Sequence, residues 1–240
     1  MATIREYLTL SEAVYDASPR VGGWACARMV AAGNGFQDCV FSRANEIVVA
    51  YAGTDPTSAG DLFADAQLAL GMVPSQSRNA LELFEWANAR ARGRRISLTG
   101  HSLGGGLCQV VGYANDVNFV TFNAPPMATN LRQTWVHSLR SVGSRVLSAT
   151  GVGWAANLAW NAALAKIGQW SVGTIAPDLG LNIRVEWDVV SSSWWGGGHA
   201  GRVHVLPTTY FTTDISHLLS TVTKLLDREQ ALARFDPFGI

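Results

Sequence analysis

The sequence predicts an α/β fold with a mostly parallel central sheet, helices on both faces and an antiparallel hairpin at the N-terminal side. Three observations carry this. Two β-favouring runs, Trp24 to Val30 and Phe36 to Ser42, flank Ala31-Ala32-Gly33-Asn34-Gly35, whose glycines and asparagine suit a tight reversal. From Glu46 onward, strand-like apolar runs alternate with stretches of helical period, the order that produces parallel pairing through right-handed crossovers. A chain of 240 residues, 48% of them hydrophobic, is long enough to bury a sizeable core, and one domain spanning 1–240 is expected.

The elements follow in order. Ile4 to Ala17 predicts a first helix, ended by Ser18-Pro19-Arg20. Glu46 to Tyr51 is a third strand running into Ala52-Gly53-Thr54-Asp55-Pro56, where glycine and proline stop regular pairing and expose backbone amides. Asp61 to Leu70 reads as helix ending near Gly71, and Ser77 to Arg92 as a longer one that turns Leu81, Phe84 and Ala87 inward before Gly93 caps it. Ile96 to Thr99 is a strand, Leu103 to Gly112 a helix, and Val117 to Asn123 a buried strand stopped by Ala124-Pro125-Pro126. Leu181 to Trp187 is a strand that Asp188 follows directly. Arg202 to Leu206 is a short one stopped by Pro207, and Asp214 to Glu229 is a last helix with His217 in its first turn.

Between Val146 and Ile175 the only charge is Lys166, and Trp154, Trp160 and Trp170 fall within it. Its apolar residues occupy one broad arc of a helical wheel, and Asn157, Asn161 and Gln169 interrupt it. A one-faced helix, packed on the body or lying at a lipid interface, is expected ahead of a membrane span.

Lys plus Arg and Asp plus Glu both number 18, so no broad basic field exists to hold nucleic acid, and none is expected as partner. Charged residues are only 15% against nine Trp and nine Phe, which fits apolar surface and transient contact with a lipid interface. Met1 to Asp16 carries Arg5, Glu6 and Glu12 and no apolar leader, so the expected setting is the cytoplasm, or export without a Sec signal peptide. Three cysteines describe no disulfide framework. Cys108 reads as a small core residue, and Cys26 and Cys39 become paired positions if the hairpin turns at Ala32-Gly33. No Cys and His cluster has metal-ligand spacing, and no cofactor is implied.

The chemistry centres on Gly100-His101-Ser102-Leu103-Gly104, which joins a strand to a helix. Such a turn crowds the serine backbone, so glycine is wanted at 100 and 104, and it lifts the Ser102 hydroxyl above the sheet. The Leu103 amide, at a helix start, is placed to donate to a developing oxyanion. A serine hydroxyl needs a base, and that base needs a carboxylate to set its tautomer. In this arrangement acid and base follow the serine on loops at strand carboxyl ends. Asp188 fits the acid, whereas Asp178 and Asp116 precede strands. His217 fits the base, with His199, in the glycine-rich loop, as its rival. Thr54 follows the end of a neighbouring strand and is the candidate second oxyanion donor.

With these residues in hand, the chain resembles the class 3 lipases, a branch of the α/β-hydrolase superfamily. The likeness rests on Ala50-Tyr51-Ala52-Gly53-Thr54-Asp55, on Thr99 to Gly105, on Val120-Thr121-Phe122-Asn123-Ala124-Pro125-Pro126, and on Trp187-Asp188-Val189-Val190. The resemblance implies an α/β-hydrolase fold, an oxyanion donor at Thr54, a nucleophile at Ser102, an acid at Asp188 and a histidine near the C-terminus, which suits His217. It implies hydrolysis of carboxylic esters, foremost lipid esters as in a triacylglycerol lipase or esterase. A phospholipase A-type enzyme or a leaderless toxic effector would share every catalytic residue, and a non-catalytic lipid-binding module is the alternative of another class. Segments 58–71 and 151–175 are the candidate lids, with Trp154, Trp160 and Leu164 as candidate substrate-binding residues. Ala52 stands where the family often has arginine.

Overall fold

The computed structural model of the chain describes residues 1–31, 37–53, 76–128, 131, 175–192, 198–209 and 216–238. Among these residues seven strands form one sheet in chain order: β1 (Ala25–Ala31), β2 (Gln37–Arg43), β3 (Glu46–Tyr51), β4 (Arg95–His101), β5 (Phe119–Phe122), β6 (Gly180–Val185) and β7 (Arg202–Leu206). β1 to β3 pair antiparallel, and β3 to β7 pair parallel. The molecule has the α/β-hydrolase fold, with the N-terminal hairpin as its antiparallel part.

Strand β3 shows why both faces carry helices. Its six residues are apolar after Glu46, so neither face can stay wet, as is usual for strands in a parallel sheet covered on both sides. Ile47, Val49 and Tyr51 point into a core completed by Ala80, Leu83, Phe84 and Ala87 of α2 (residues 76–88) and by Leu103, Leu107 and Val111 of α3 (Leu103–Asn115). Val48 and Ala50 point the other way, against Ile4, Tyr7 and Leu8 of α1 (Ile4–Ala13) and Val222, Leu225 and Leu226 of α4 (Leu219–Arg228). A short α5 (Gln230–Ala233) adds Ala233 to that second core. Each fully buried aliphatic side chain contributes about 1.5–3 kcal/mol relative to exposure.

Helix α1 is registered on β4 by polar contacts as well as packing. Its N-terminus carries a capping box, in which the Thr3 hydroxyl accepts from the Glu6 amide and the Glu6 carboxylate accepts from the Thr3 amide. Tyr7 then donates to Ser97 Oγ at 2.8 Å, and the Ser11 and Thr99 hydroxyls lie 2.8 Å apart. Four helical residues advance about 6 Å and two strand residues about 6.6 Å, so the steps 7, 11, 15 and 97, 99, 101 stay in phase. The next pair in that series is Tyr15 and His101, at the edge where Ser102 emerges.

Several boundaries differ from expectation for local reasons. The first helix stops at Ala13, not Ala17, because Gln37 Nε2 of β2 donates to the carbonyls of Val14 and Asp16 and draws that backbone out of helical register. Strand β5 begins at Phe119: Asp116 adopts a left-handed conformation at the end of α3, and the Val117 amide folds back onto Gly112 O. The hairpin register sets Cys26 opposite Phe41 and Cys39 opposite Met29, so the two cysteines are diagonal, not directly paired. Among the described residues no helix is long and apolar enough to cross a membrane. The candidate lid 58–71 and the block 151–175, except Ile175, lie outside the described residues, as do Thr54, Trp154, Trp160 and Leu164.

Candidate active site

The turn from β4 into α3 is built by close backbone approach. A Cβ on Gly100 would sit 2.5 Å from the Gly104 carbonyl carbon, and one on Gly104 would overlap the Tyr51 carbonyl of β3. Only glycine lets α3 start this near the sheet. Between them Ser102 holds φ 52 and ψ −127, a conformation an L-residue rarely takes, locked by its amide donating to Phe122 O at 3.0 Å and its carbonyl accepting from Gly106 N at 3.1 Å. The hydroxyl is thereby projected beyond the carboxyl end of β4. Leu103 is the first residue of α3, so its amide is one of the first-turn donors with no intrahelical acceptor.

Three side chains then stand in line. Ser102 Oγ lies 2.9 Å from His217 Nε2, and His217 Nδ1 lies 3.0 Å from Asp188 Oδ1. His217 is 3% exposed and Asp188 not exposed at all, so this carboxylate acts on the imidazole without intervening water. Asp188 follows β6 through a turn in which Trp187 has positive φ and the Asp188 amide donates to Val185 O. Its Oδ1 also accepts from the Val190 amide, and its Oδ2 from the Ser191 amide and, very closely, the Ser191 hydroxyl. Arg184 reaches Ser191 Oγ and Asp188 O from behind.

His217 stands just before α4, not inside its first turn. Leu218 is extended at ψ 138 and breaks the expected helix, and the carbonyls before it are taken by side chains. Asn123 Nδ2 donates to the carbonyls of Ser216 and His217 at 2.8 and 3.0 Å, while Asn123 Oδ1 accepts from the Val185 amide at 2.8 Å. One side chain at the end of β5 thus couples the end of β6 to the histidine loop.

His101, inside the turn, also serves that loop. Its Nε2 lies 2.8 Å from His217 O, and a carbonyl only accepts, so Nε2 carries the proton and Nδ1 is left as acceptor. Tyr15 OH, 3.4 Å from Nδ1, donates to it weakly and accepts from the Gly53 amide at 2.8 Å. Burial, reinforced by the neighbouring His217, pushes the His101 pKa down to about 3, which keeps this ring neutral. His199, the rival base, is buried with Nε2 donating to Ser191 O at 3.0 Å, whereas the contact with Ser102 Oγ is made by His217, and burial pushes the His199 pKa down to about 4. His204 sits against Glu229, and His137 lies outside the described residues.

Sequence reasoning therefore named the three residues in line but not the ones that hold them: Tyr15, Asn123, Arg184 and Ser191. Asn123 lies within the Val120 to Pro126 motif, and Ser191 follows Asp188 by three residues, so each left a local signal. Tyr15 left none beyond its four-residue step from Ser11. Thr54 follows Gly53 directly, one residue beyond the described stretch. Among the described residues no three His, Cys, Asp or Glu side chains converge as a metal site would need.

Comparison with known proteins agrees with this frame. A stretch 37% identical over 93 residues is shared with the extracellular phospholipase A1 of Serratia liquefaciens, covering 39% of this chain and 28% of that protein. The chain thus spans less than a third of that relative's length. Among solved structures, one titled a crystal structure of fungal lipases matches with a TM-score of 0.51 and 11% identity, over 98% of this chain and 94% of that one. The triacylglycerol lipase of Penicillium expansum matches with a TM-score of 0.47 and 16% identity, over 85% of this chain and 78% of its own. The phospholipase-like family model described as a Tle-like phospholipase domain matches residues 7–154, which includes Gly53, Thr54 and the Ser102 turn and stops before Asp188 and His217. That match takes in well over half of the sequence: the chain has the α/β-hydrolase fold of the class 3 lipases and belongs to the Tle-like phospholipase domain family.

Proposed function

We propose that the chain is a serine hydrolase that cleaves the acyl ester of a diacyl phospholipid through an acyl-enzyme on Ser102. The observation that carries the chemistry is the unbroken line Ser102 Oγ, His217 imidazole, Asp188 carboxylate, with contacts of 2.9 and 3.0 Å. Support for phospholipid over other esters comes from the Tle-like phospholipase family and from the phospholipase A1 relative. Triacylglycerol, expected from the class 3 resemblance, presents the same acyl ester.

The steps follow from that geometry. His217 Nε2 takes the Ser102 proton as Oγ attacks the ester carbonyl, and Asp188 supports the charge that forms on the ring. The Leu103 amide, with the Thr54 amide as its proposed partner, stabilises the tetrahedral oxyanion; losing one such donor costs about 10²–10³ in rate. The imidazolium returns its proton to the leaving lysophospholipid oxygen. Water then attacks the acyl-enzyme, giving its proton to His217; the bond from the acyl carbon to Ser102 Oγ breaks, the imidazolium returns the proton to Oγ, and the fatty acid is released.

Fatty-acid release is measured from diacylphospholipid vesicles and from triacylglycerol emulsion, with Ser102→Ala as blank. The wild-type chain is expected to act on vesicles and the variant to lose at least about 10⁴-fold. Undiminished turnover by the variant overturns the serine mechanism. Turnover on triacylglycerol alone overturns the substrate assignment and leaves the mechanism standing. Failure of Ser102 to react with a fluorophosphonate would instead mark a lipid-binding module.

A further inference from the structure

The far edge of the sheet carries two thiols that the hydrolytic site does not use. Cys26 stands on β1 and Cys39 on β2; both are free thiols, and their Sγ atoms are 2.7 Å apart. A covalent S–S bond is about 2.05 Å, so the sulfurs have well under an ångström to close. The pairing puts Cys26 opposite Phe41 and Cys39 two residues along, so both side chains leave the same face of the hairpin.

The surroundings give such a bond something to do. Among the described residues β1 is the edge strand, and Ala25, Cys26, Ala27 and Arg28 are exposed, so its ladder to β2 is its main attachment, with Arg28 over the Trp86 ring and Val30 on the core beside it. Cys39, by contrast, is wholly buried in the core that includes Phe41 and Val48. A link between them ties an unburied edge to a buried strand. The next residue of β2, Asp38, accepts from the Ala52 amide at 3.3 Å where the chain leaves β3 for Gly53, so the tie lies beside the strand that leads into the proposed oxyanion loop.

We propose that Cys26 and Cys39 are a redox pair that closes to a disulfide by exchange with a low-molecular-weight disulfide. The order of events follows from exposure. The Cys26 thiolate attacks the external disulfide, forming a mixed disulfide and releasing one external thiol. Cys39 then attacks Cys26 Sγ and displaces the second. Both protein thiols are oxidised, one external disulfide is reduced to two thiols, and the two protons given up by the protein end on them. Burial, with Cys26 beside it, pushes the Cys39 thiol up, which makes the second exchange the slower one.

The full chain is incubated with oxidised or reduced glutathione, alkylated, and mapped by mass spectrometry without reduction, while thermal unfolding is followed on the same samples. The expected result is a Cys26–Cys39 linked peptide after oxidation, with Cys108 outside it, and a melting temperature higher by about 5–10 °C than in the reduced sample. Cys26→Ser, a change at an exposed position, should melt alike in both samples. Full alkylation of Cys26 and Cys39 after oxidation, a persistent glutathione adduct on Cys26, or a linked peptide with no rise in melting temperature overturns the proposal. Ester turnover by Ser102 in each sample reports that the fold is intact throughout.

Discussion

The imidazole of His101 does not approach the Ser102 hydroxyl but donates to the backbone of His217, with Nε2 2.8 Å from that carbonyl and the two rings 4.9 Å apart. A histidine adjacent in sequence to the proposed nucleophile is thereby a positioning residue for the proposed base. Through Tyr15 the same ring reaches the Gly53 amide, so the strand leading to Thr54 and the loop carrying His217 share one polar connection.

Removing that connection should misplace the base without removing it. His101→Ala is expected to lower kcat by about 10–100-fold, since ångström-scale misplacement costs that much, while KM stays within a few-fold. His101→Gln, which restores a donor toward His217 O, should recover part of the loss. Steady-state kinetics on a soluble ester checks this; unchanged kcat in His101→Ala would show that the contact positions nothing.

Ser191 tests the support of the acid. Its hydroxyl and amide both donate to Asp188 Oδ2, and Ser191→Ala removes only the first. Hydrogen bonds to charged groups contribute about 1.5–3 kcal/mol, so a stability loss of that size is expected in denaturant titration. If the bond also aims the carboxylate at His217, kcat on a soluble ester falls as well, and an unchanged kcat would show that the hydroxyl aims nothing.

Stability should fall on mild acidification. His101 and His199 have folded pKa values of about 3 and about 4, both below the ordinary 6.5, so the unfolded chain takes up protons first as pH drops. Their contribution is fully present above pH about 6.5 and is lost as pH falls toward those values, by up to about 1.4 kcal/mol per group per pH unit. Denaturant midpoints measured from pH about 7 to about 4 should decline, and His199→Asn should flatten the decline.

Asp38 carries the opposite sign. Burial raises its carboxyl well above the ordinary value against the weaker lowering by the Ala52 amide, and Oδ2 has no hydrogen-bond partner among the described residues. A raised pKa favours the fold at low pH and penalises it as pH rises. Asp38→Asn should therefore gain stability relative to wild type with increasing pH, and a difference that stays constant between pH about 4 and about 8 would contradict this.

What the sequence by itself determined is everything local. The Gly100 to Gly104 turn, the hairpin, the apolar run of β3 and the position of Asp188 just past a strand all follow from residue pattern and from glycine placement within short windows. Solvent exclusion reads such patterns the same way wherever the chain puts them. The tertiary structure decided what depends on side chains meeting across the sheet. Asn123 and His101 take the carbonyls of Ser216 and His217, and the predicted helix is broken at Leu218. Ser191 O takes the ring nitrogen of His199, and the hairpin register sets the two cysteines diagonal. These partners lie up to 116 residues apart in the chain, and a hydrogen bond over that separation has no period to betray it.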